Sequence, residues 1–198
     1  IKNRKNIAAG LATDGDADRI GLYNSKGEFV DSHHIILLLL LYLYKYKNLK
    51  GKVVVAASTT PRVVKLAEKW GLDHDTVKVG FKYIAGQMVN EDVLIGGEES
   101  GGIAIKGHIP ERDGIWMGLV LFEYMAKSGK TLEELINEVY ELVGEFKYCR
   151  DDLHLDEKLK NSIVKKCNNN EFSSFGEYEV LKVDKTDGFK IFKPNAEG

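Results

Sequence analysis

The sequence predicts an α/β protein: a three-layer α/β/α domain around a mainly parallel mixed sheet, followed by the start of a smaller α+β domain. Short apolar runs alternate with helical patterns from Lys52 to Ile95, the rhythm of βαβ units with helices on both faces of a sheet. The run Lys52 to Ala57, with three successive valines, is a β-branched run of the kind found in strands buried on both faces. Beyond Gly144 short strand-like pieces surround one polar amphipathic segment, so a boundary is placed at about Glu145.

Ile7 to Thr13 forms a mostly apolar lead-in that delivers an acidic loop, as strands of α/β folds deliver functional loops at their carboxyl ends. Ile20 to Tyr23 and Glu28 to Val30 flank the turn-rich Asn24-Ser25-Lys26-Gly27 and predict a hairpin. Asp31 or Ser32 caps a helix through about Tyr46. Its run Ile35 to Tyr44 is well short of the ~20 residues a membrane span needs, so a fully buried helix is predicted. After Lys52 to Ala57, Thr60 caps a helix with Pro61 at its first position; Val63, Val64, Leu66, Ala67 and Trp70 face the core, and Gly71 ends it. Thr76 to Val79 reads as a strand, Lys82 to Val89 as a helix, Val93 to Ile95 and Ile103 to Ile105 as strands, and Ile115 to Lys127 as a helix. Ser128-Gly129-Lys130-Thr131 resembles the end of a phosphate loop but lacks its leading glycine, Tyr124 standing there, and follows a helix. Lys130 is therefore read as a solvated turn residue. Thr131 and Glu134 make a capping box for a helix to Leu142, closed by Gly144. Phe146 to Cys149 and Leu153 to Leu155 read as strands and Asp156 to Cys167 as a helix. Tyr178 to Val183 and Phe189 to Phe192 read as a hairpin about Asp187-Gly188.

A net charge of −2 with interspersed signs, and no basic stripe interleaved with aromatics, exclude a general nucleic-acid surface. The two cysteines, Cys149 and Cys167, form no Cys-x-x-Cys pair and no signal peptide opens the sequence, so reduced thiols of a cytoplasmic protein are expected.

The chemistry concentrates in Asp14-Gly15-Asp16-Ala17-Asp18-Arg19. Three carboxylates at alternate positions repel one another unless a cation joins them, and an oxygen-only ligand set suits a hard divalent ion, Mg2+ first, with Ca2+ or Mn2+ as alternatives. Gly15 allows the tight turn. Arg19 sets a phosphate-gripping fork beside the metal, the pattern of a phosphoryl-transfer site. An EF-hand does not fit, because its sixth and twelfth loop positions fall on Arg19 and Ser25. A haloacid-dehalogenase phosphatase, with Asp14 as nucleophile, would need Thr or Val where Asp18 stands. A third reading is a non-catalytic cation-binding module, in which Glu98 and Ser100 lie far from Asp14 with no shared cleft. The second chemical stretch is Gly96-Gly97-Glu98-Glu99-Ser100-Gly101-Gly102. A phosphate cradle avoids carboxylates, whereas a loop gripping sugar hydroxyls uses them as acceptors.

Four stretches in order resemble the α-D-phosphohexomutases, the superfamily of phosphoglucomutase and phosphomannomutase. Asp14 to Arg19 is similar to that family's metal loop, Val79-Gly80-Phe81-Lys82-Tyr83-Ile84 to its third-domain substrate segment, and Gly97-Glu98-Glu99-Ser100-Gly101 to its sugar-binding loop. His108 to Gly114 resembles the segment that follows in α-phosphoglucomutases, where a Lys stands at Arg112. The resemblance implies a Mg2+-dependent enzyme interconverting hexose 1-phosphates and hexose 6-phosphates through a phosphoserine and a bisphosphate intermediate. It places Mg2+ on Asp14, Asp16 and Asp18, charge neutralisation on Arg19, sugar contacts on Glu98 and Ser100, and phosphate contact or proton transfer on Lys82 and Arg112. Gly80 and His108 complete the implied substrate set. Gly102 stands where many bacterial phosphomannomutase-type members carry His, and the wording of Glu98 to Ser100 and of His108 to Gly114 leans toward glucose. No serine here, Ser25, Ser58, Ser100 and Ser173 among them, sits in the family's Thr/Ser-Ala-Ser-His-Asn context, and no Arg/Ser/Gly/Thr-rich phosphate loop follows the last hairpin. The resemblance therefore implies a fragment, partnered by the missing domains of its own chain and inactive alone: residues 1–30 ending a second domain, 31–144 a third, and 145–198 beginning a fourth.

Overall fold

The computed structural model of the chain describes residues 6–194, and these fall into two compact units that divide between Phe146 and Lys147. The first opens with β1 (Ala9–Thr13), β2 (Ile20–Asn24) and β3 (Phe29–Val30), an antiparallel sheet in the order β1-β2-β3 in which Thr13 pairs with Ile20 and Leu22 with Val30. The acidic loop is thus the connection of an antiparallel hairpin. It follows the carboxyl end of β1, as the apolar lead-in predicts, although β1 belongs to an antiparallel sheet.

Asp31 caps α1 (Ser32–Leu41), its carboxylate accepting from the amides of His33 and His34 at 3.0 and 3.2 Å. Every residue of α1 is buried, which explains why its pattern is apolar all round. The helix runs to Tyr46 as expected, but only Ser32–Leu41 is α-helical and Tyr42–Tyr46 form a π-helical turn. The wider turn lets successive tyrosines reach different partners: Tyr42 stacks on Tyr124 with centroids 4.6 Å apart, and Tyr44 on Trp70 at 4.3 Å.

The main sheet combines β4 (Lys52–Ala56), β5 (His74–Val77), β6 (Val93–Gly97) and β7 (Ile103–Ile105) in the order β5-β4-β6-β7, with β7 alone antiparallel. Between the strands run α2 (Pro61–Lys69), capped by Thr60, and α3 (Phe81–Asn90); α4 (Gly114–Ser128) and α5 (Leu132–Val143) follow. Val53 and Val55 join the large core made with α1, α2, α4 and α5, while Val54 turns to a smaller core with Phe81 and Ile84 of α3. That division into two faces is the three-layer arrangement. β5 begins two residues before the expected Thr76, because Lys78 to Gly80 are needed to turn into α3 and Gly80 takes φ +127°. The capping box of Thr131 and Glu134 forms, and Gly144 at φ +79° closes α5.

The second unit holds α6 (Glu157–Asn168), then β8 (Ser174–Phe175) paired with β9 (Tyr178–Glu179), and β10 (Lys182–Asp184) paired with β11 (Lys190–Phe192) about Asp187-Gly188. The expected run Tyr178 to Val183 is therefore split between two pairings. Phe146 to Cys149 and Leu153 to Leu155 form no strand, since nothing among the described residues pairs with them in a ladder; Phe146 instead stacks its ring on His34 at 4.2 Å. Cys149 and Cys167 are free thiols. No helix among the described residues is long and apolar enough to cross a membrane.

Candidate functional site

The acidic loop leaves β1 at Thr13 and returns at Ile20. Its turn is closed by the amide of Ala17 donating to the Asp14 carbonyl at 3.2 Å and by the amide of Arg19 donating to Asp14 Oδ1 at 3.2 Å. The left-handed residue is Ala17, at φ +59°, and not Gly15. An alanine tolerates that conformation only when its surroundings impose it, and here the amide of Gly114 binds the Ala17 carbonyl at 2.9 Å.

Asp14, Asp16 and Asp18 each offer a carboxylate oxygen, and these atoms lie within 4.8 Å of one another, the only such metal-competent group among the described residues. Asp18 Oδ1 is buried and accepts no hydrogen bond; Arg19 Nε stands 3.7 Å from it. Burial pushes the Asp18 carboxyl above its ordinary range, the charges of Asp16 and Asp14 push it further, and Arg112 opposes them. An all-oxygen set, an orphaned buried oxygen and mutual repulsion fit a hard divalent cation.

The glycine-rich loop docks directly against this hairpin. Arg19 and Gly102 form an antiparallel bridge, and the amide of Ile20 donates to the Gly101 carbonyl at 3.1 Å. Three glycines permit the approach: a Cβ on Gly101 would lie 2.7 Å from the Ile20 carbonyl oxygen, on Gly102 2.5 Å from Arg112 Cδ, and on Gly114 2.5 Å from the Arg19 carbonyl oxygen. Sequence reading singled out none of these glycines for this role, because their partners lie far away in the chain.

Arg112 is the bridge between the loops. Its guanidinium binds Asp18 Oδ2 at 2.8 Å, sits 5.4 Å from the Phe81 ring centroid, and has Glu111 Oε1 3.4 Å from Nε. Glu98 is buried, only 4% exposed, and accepts from the Gly80 amide at 2.7 Å. One of its oxygens is thus spent on positioning the start of α3, and the other faces the space before Gly102. Glu99, not Glu98, is held by the two serines Ser32 and Ser58, the first on its carbonyl and the second on its carboxylate. Ser100 is exposed, as is Lys82, whose ammonium lies 5.0 Å from the Tyr83 ring centroid. His108 is drawn into structure: Nε2 lies 2.8 Å from Asp113 Oδ2 and the ring stacks on Trp116. Asp113 caps α4 through the Trp116 amide at 2.8 Å, and that bond, offset in part by burial and reinforced by His108, holds its carboxyl below the ordinary range. Asp113 is a site-building residue that sequence reading passed over, although its place before Gly114 and an apolar run is a cap signal.

Contacts thus run from Gly80 to Glu98, and through Arg112 from Gly102 and Phe81 to Asp18. Residues 31–143 match the family described as phosphoglucomutase/phosphomannomutase, alpha/beta/alpha domain III, and the chain belongs to that family. It is 35% identical over 132 residues to the phosphoglucosamine mutase of Rubrobacter xylanophilus and 36% over 131 residues to that of Carboxydothermus hydrogenoformans; each alignment covers 66% of this chain and 30% of the relative. A crystal structure from Thermus thermophilus, provisionally identified as a phosphomannomutase, matches with a TM-score of 0.77 at 34% identity, covering 93% of this chain and 38% of that one. A phosphoglucomutase/phosphomannomutase family structure from Burkholderia thailandensis, 19% identical, shares the fold with a TM-score of 0.72 over 94% of this chain and 38% of its own. The chain spans 30% of the length of those two curated relatives. Family membership displaces the haloacid-dehalogenase reading.

Proposed function

We propose that the chain carries the cation loop and the hexose loop of a cytoplasmic phosphohexomutase that interconverts hexose 1-phosphate and hexose 6-phosphate. The observation that carries this reading is the docking of the two loops, with Ile20 bonded to Gly101 and Arg112 bonded to Asp18. Asp14, Asp16 and Asp18 would hold Mg2+, which when bound supplies charge neutralisation at a migrating phosphoryl group. Arg19 adds a second positive group at the same place. Glu98 and Ser100 accept and donate hydrogen bonds to sugar hydroxyls, with the Glu98 carboxylate pre-aimed by the Gly80 amide. Lys82 and Arg112 meet the substrate phosphate or a transferring proton. His108 acts on the substrate side by fixing Asp113 and so the start of α4.

None of the serines in these 198 residues has the family's nucleophile context, so the chain alone is expected to turn over no glucose 1-phosphate. Glucose is the favoured hexose from the Glu98-Glu99-Ser100 and His108 to Gly114 wording. A second reading, glucosamine phosphate, is favoured by the names of two relatives, the phosphoglucosamine mutases of Rubrobacter xylanophilus and Carboxydothermus hydrogenoformans. Titration of the chain with Mn2+, followed by paramagnetic broadening of amide signals, tests the cation loop. Broadening centred on Asp14 to Arg19 and lost in Asp16→Asn is expected; broadening elsewhere refutes the assignment. Glucose 6-phosphate against glucosamine 6-phosphate, each titrated with Mg2+ present while the Gly97 to Gly102 amides are observed, separates the two sugars.

A further inference from the structure

We propose that Arg112 is a positioning residue for the cation: by holding one oxygen of Asp18 it aims the other at the metal, and it ties that aim to the hexose loop. The inference rests on the reading of Asp14, Asp16 and Asp18 as the cation loop. Its starting point is the asymmetry of the Asp18 carboxylate. Oδ2 is paired with Arg112 at 2.8 Å, whereas Oδ1 is buried and accepts no hydrogen bond. A carboxylate with one oxygen fixed by a guanidinium cannot rotate freely, so the other oxygen, which accepts no hydrogen bond and has Arg19 Nε 3.7 Å away, is presented in a set direction. Outer partners of this kind orient ligands and commonly carry a large part of a site's affinity.

Arg112 is itself located by the other loop. Its stem runs against Gly102, where a Cβ would meet Cδ at 2.5 Å and Cγ at 3.2 Å, and its guanidinium lies against the Phe81 ring at the start of α3. The Glu111 carboxylate takes its Nε at 3.4 Å, so the fork is held from two sides. Gly102, Phe81 and Asp18 belong to three different elements that meet at this one side chain. Any shift of the hexose loop at Gly102 is therefore passed to Asp18 through Arg112.

Electrostatics alone predicts the opposite sign, because removing a guanidinium beside a cation site should tighten cation binding. The two cations that such a loop could hold separate these cases. Mg2+ demands near-ideal placement of its oxygens, whereas Ca2+ accepts irregular shells. A lost positive charge raises the affinity for both ions alike. A lost aim weakens Mg2+ far more than Ca2+.

The test is calorimetric titration of the full 198-residue chain with Mg2+ and with Ca2+, circular dichroism confirming the fold of each variant. Arg112→Gln is expected to lower Mg2+ affinity by roughly tenfold, the low end of what outer-partner substitutions cost, while Ca2+ affinity falls less. Gly102→Ala, which changes no charge and no ligand, is expected to move the Mg2+ to Ca2+ ratio in the same direction, and Arg112→Lys to give an intermediate ratio. Unchanged or tighter Mg2+ binding by Arg112→Gln, with the native chain binding Mg2+ at the aspartates, overturns the positioning role alone. No binding of either ion to the native chain overturns the cation loop itself, and the inference with it.

Discussion

Gly114 and Gly86 show how differently two glycines of one protein behave under the same substitution. A Cβ at Gly114 would sit 2.5 Å from the Arg19 carbonyl oxygen and 3.0 Å from that of Ala17, both main-chain atoms of the cation loop that cannot step aside. Gly114→Ala is therefore expected to cost about 1–3 kcal/mol, the range for overpacking, and to weaken Mn2+ binding, as urea denaturation and titration would report. Gly86, within α3, has nothing within 4 Å of its Cβ position. Gly86→Ala is expected to stabilise by ~0.5–1 kcal/mol through the higher helix propensity of alanine; a destabilised variant in the same urea series contradicts this. Glu98 is a third case. Glu98→Ala would leave the part-buried Gly80 amide without its 2.7 Å partner, at a cost of about 1 kcal/mol for the lost hydrogen bond, besides any loss of sugar binding.

At the scale of elements, the entry to α1 carries the clearest pH dependence. Burial raises the Asp31 carboxyl, but the hydrogen bond and charge of His34 outweigh it and the net shift is downward from 3.8. A carboxyl lowered by folding contributes stability that is complete above its unfolded value and is lost as the pH falls through its folded value. The native chain should therefore lose more stability than Asp31→Asn as the pH falls below the ordinary aspartate value of about 4, measured by urea unfolding at each pH; parallel curves would exclude a role for this carboxylate. The same network reaches further, since His34 Nε2 lies 2.9 Å from the Tyr140 hydroxyl and Arg62 donates to the carbonyls of Val143 and Glu145. The cap of the first helix thus also fastens the end of α5.

For the whole molecule, burial is divided unevenly. All buried hydrophobic residues among those described lie at or before Val139, and α6 buries none of its residues. Residues 1–146 are expected to keep a cooperative melt within a few degrees of the full chain's, while amide exchange should be fastest from Lys147 onward; slow exchange there would refute this division. What the sequence determined alone are the features written within a few residues: the cap and proline of α2, the capping box of α5, the valine run of β4, and the clustering of three aspartates in one short loop. The misplacements have one cause. Phe146 to Cys149 has the composition of a strand, but a strand exists only where a second segment pairs with it in a ladder, and among the described residues none does. Only the tertiary structure brought Gly101, Gly102 and Gly114 against the cation loop, paired Arg112 with Asp18 and bound His108 to Asp113. Local patterns report on neighbours in the chain. Contact between Asp18 and Arg112, far apart in sequence, depends on how two sheets and a helix end pack, and no local pattern encodes that.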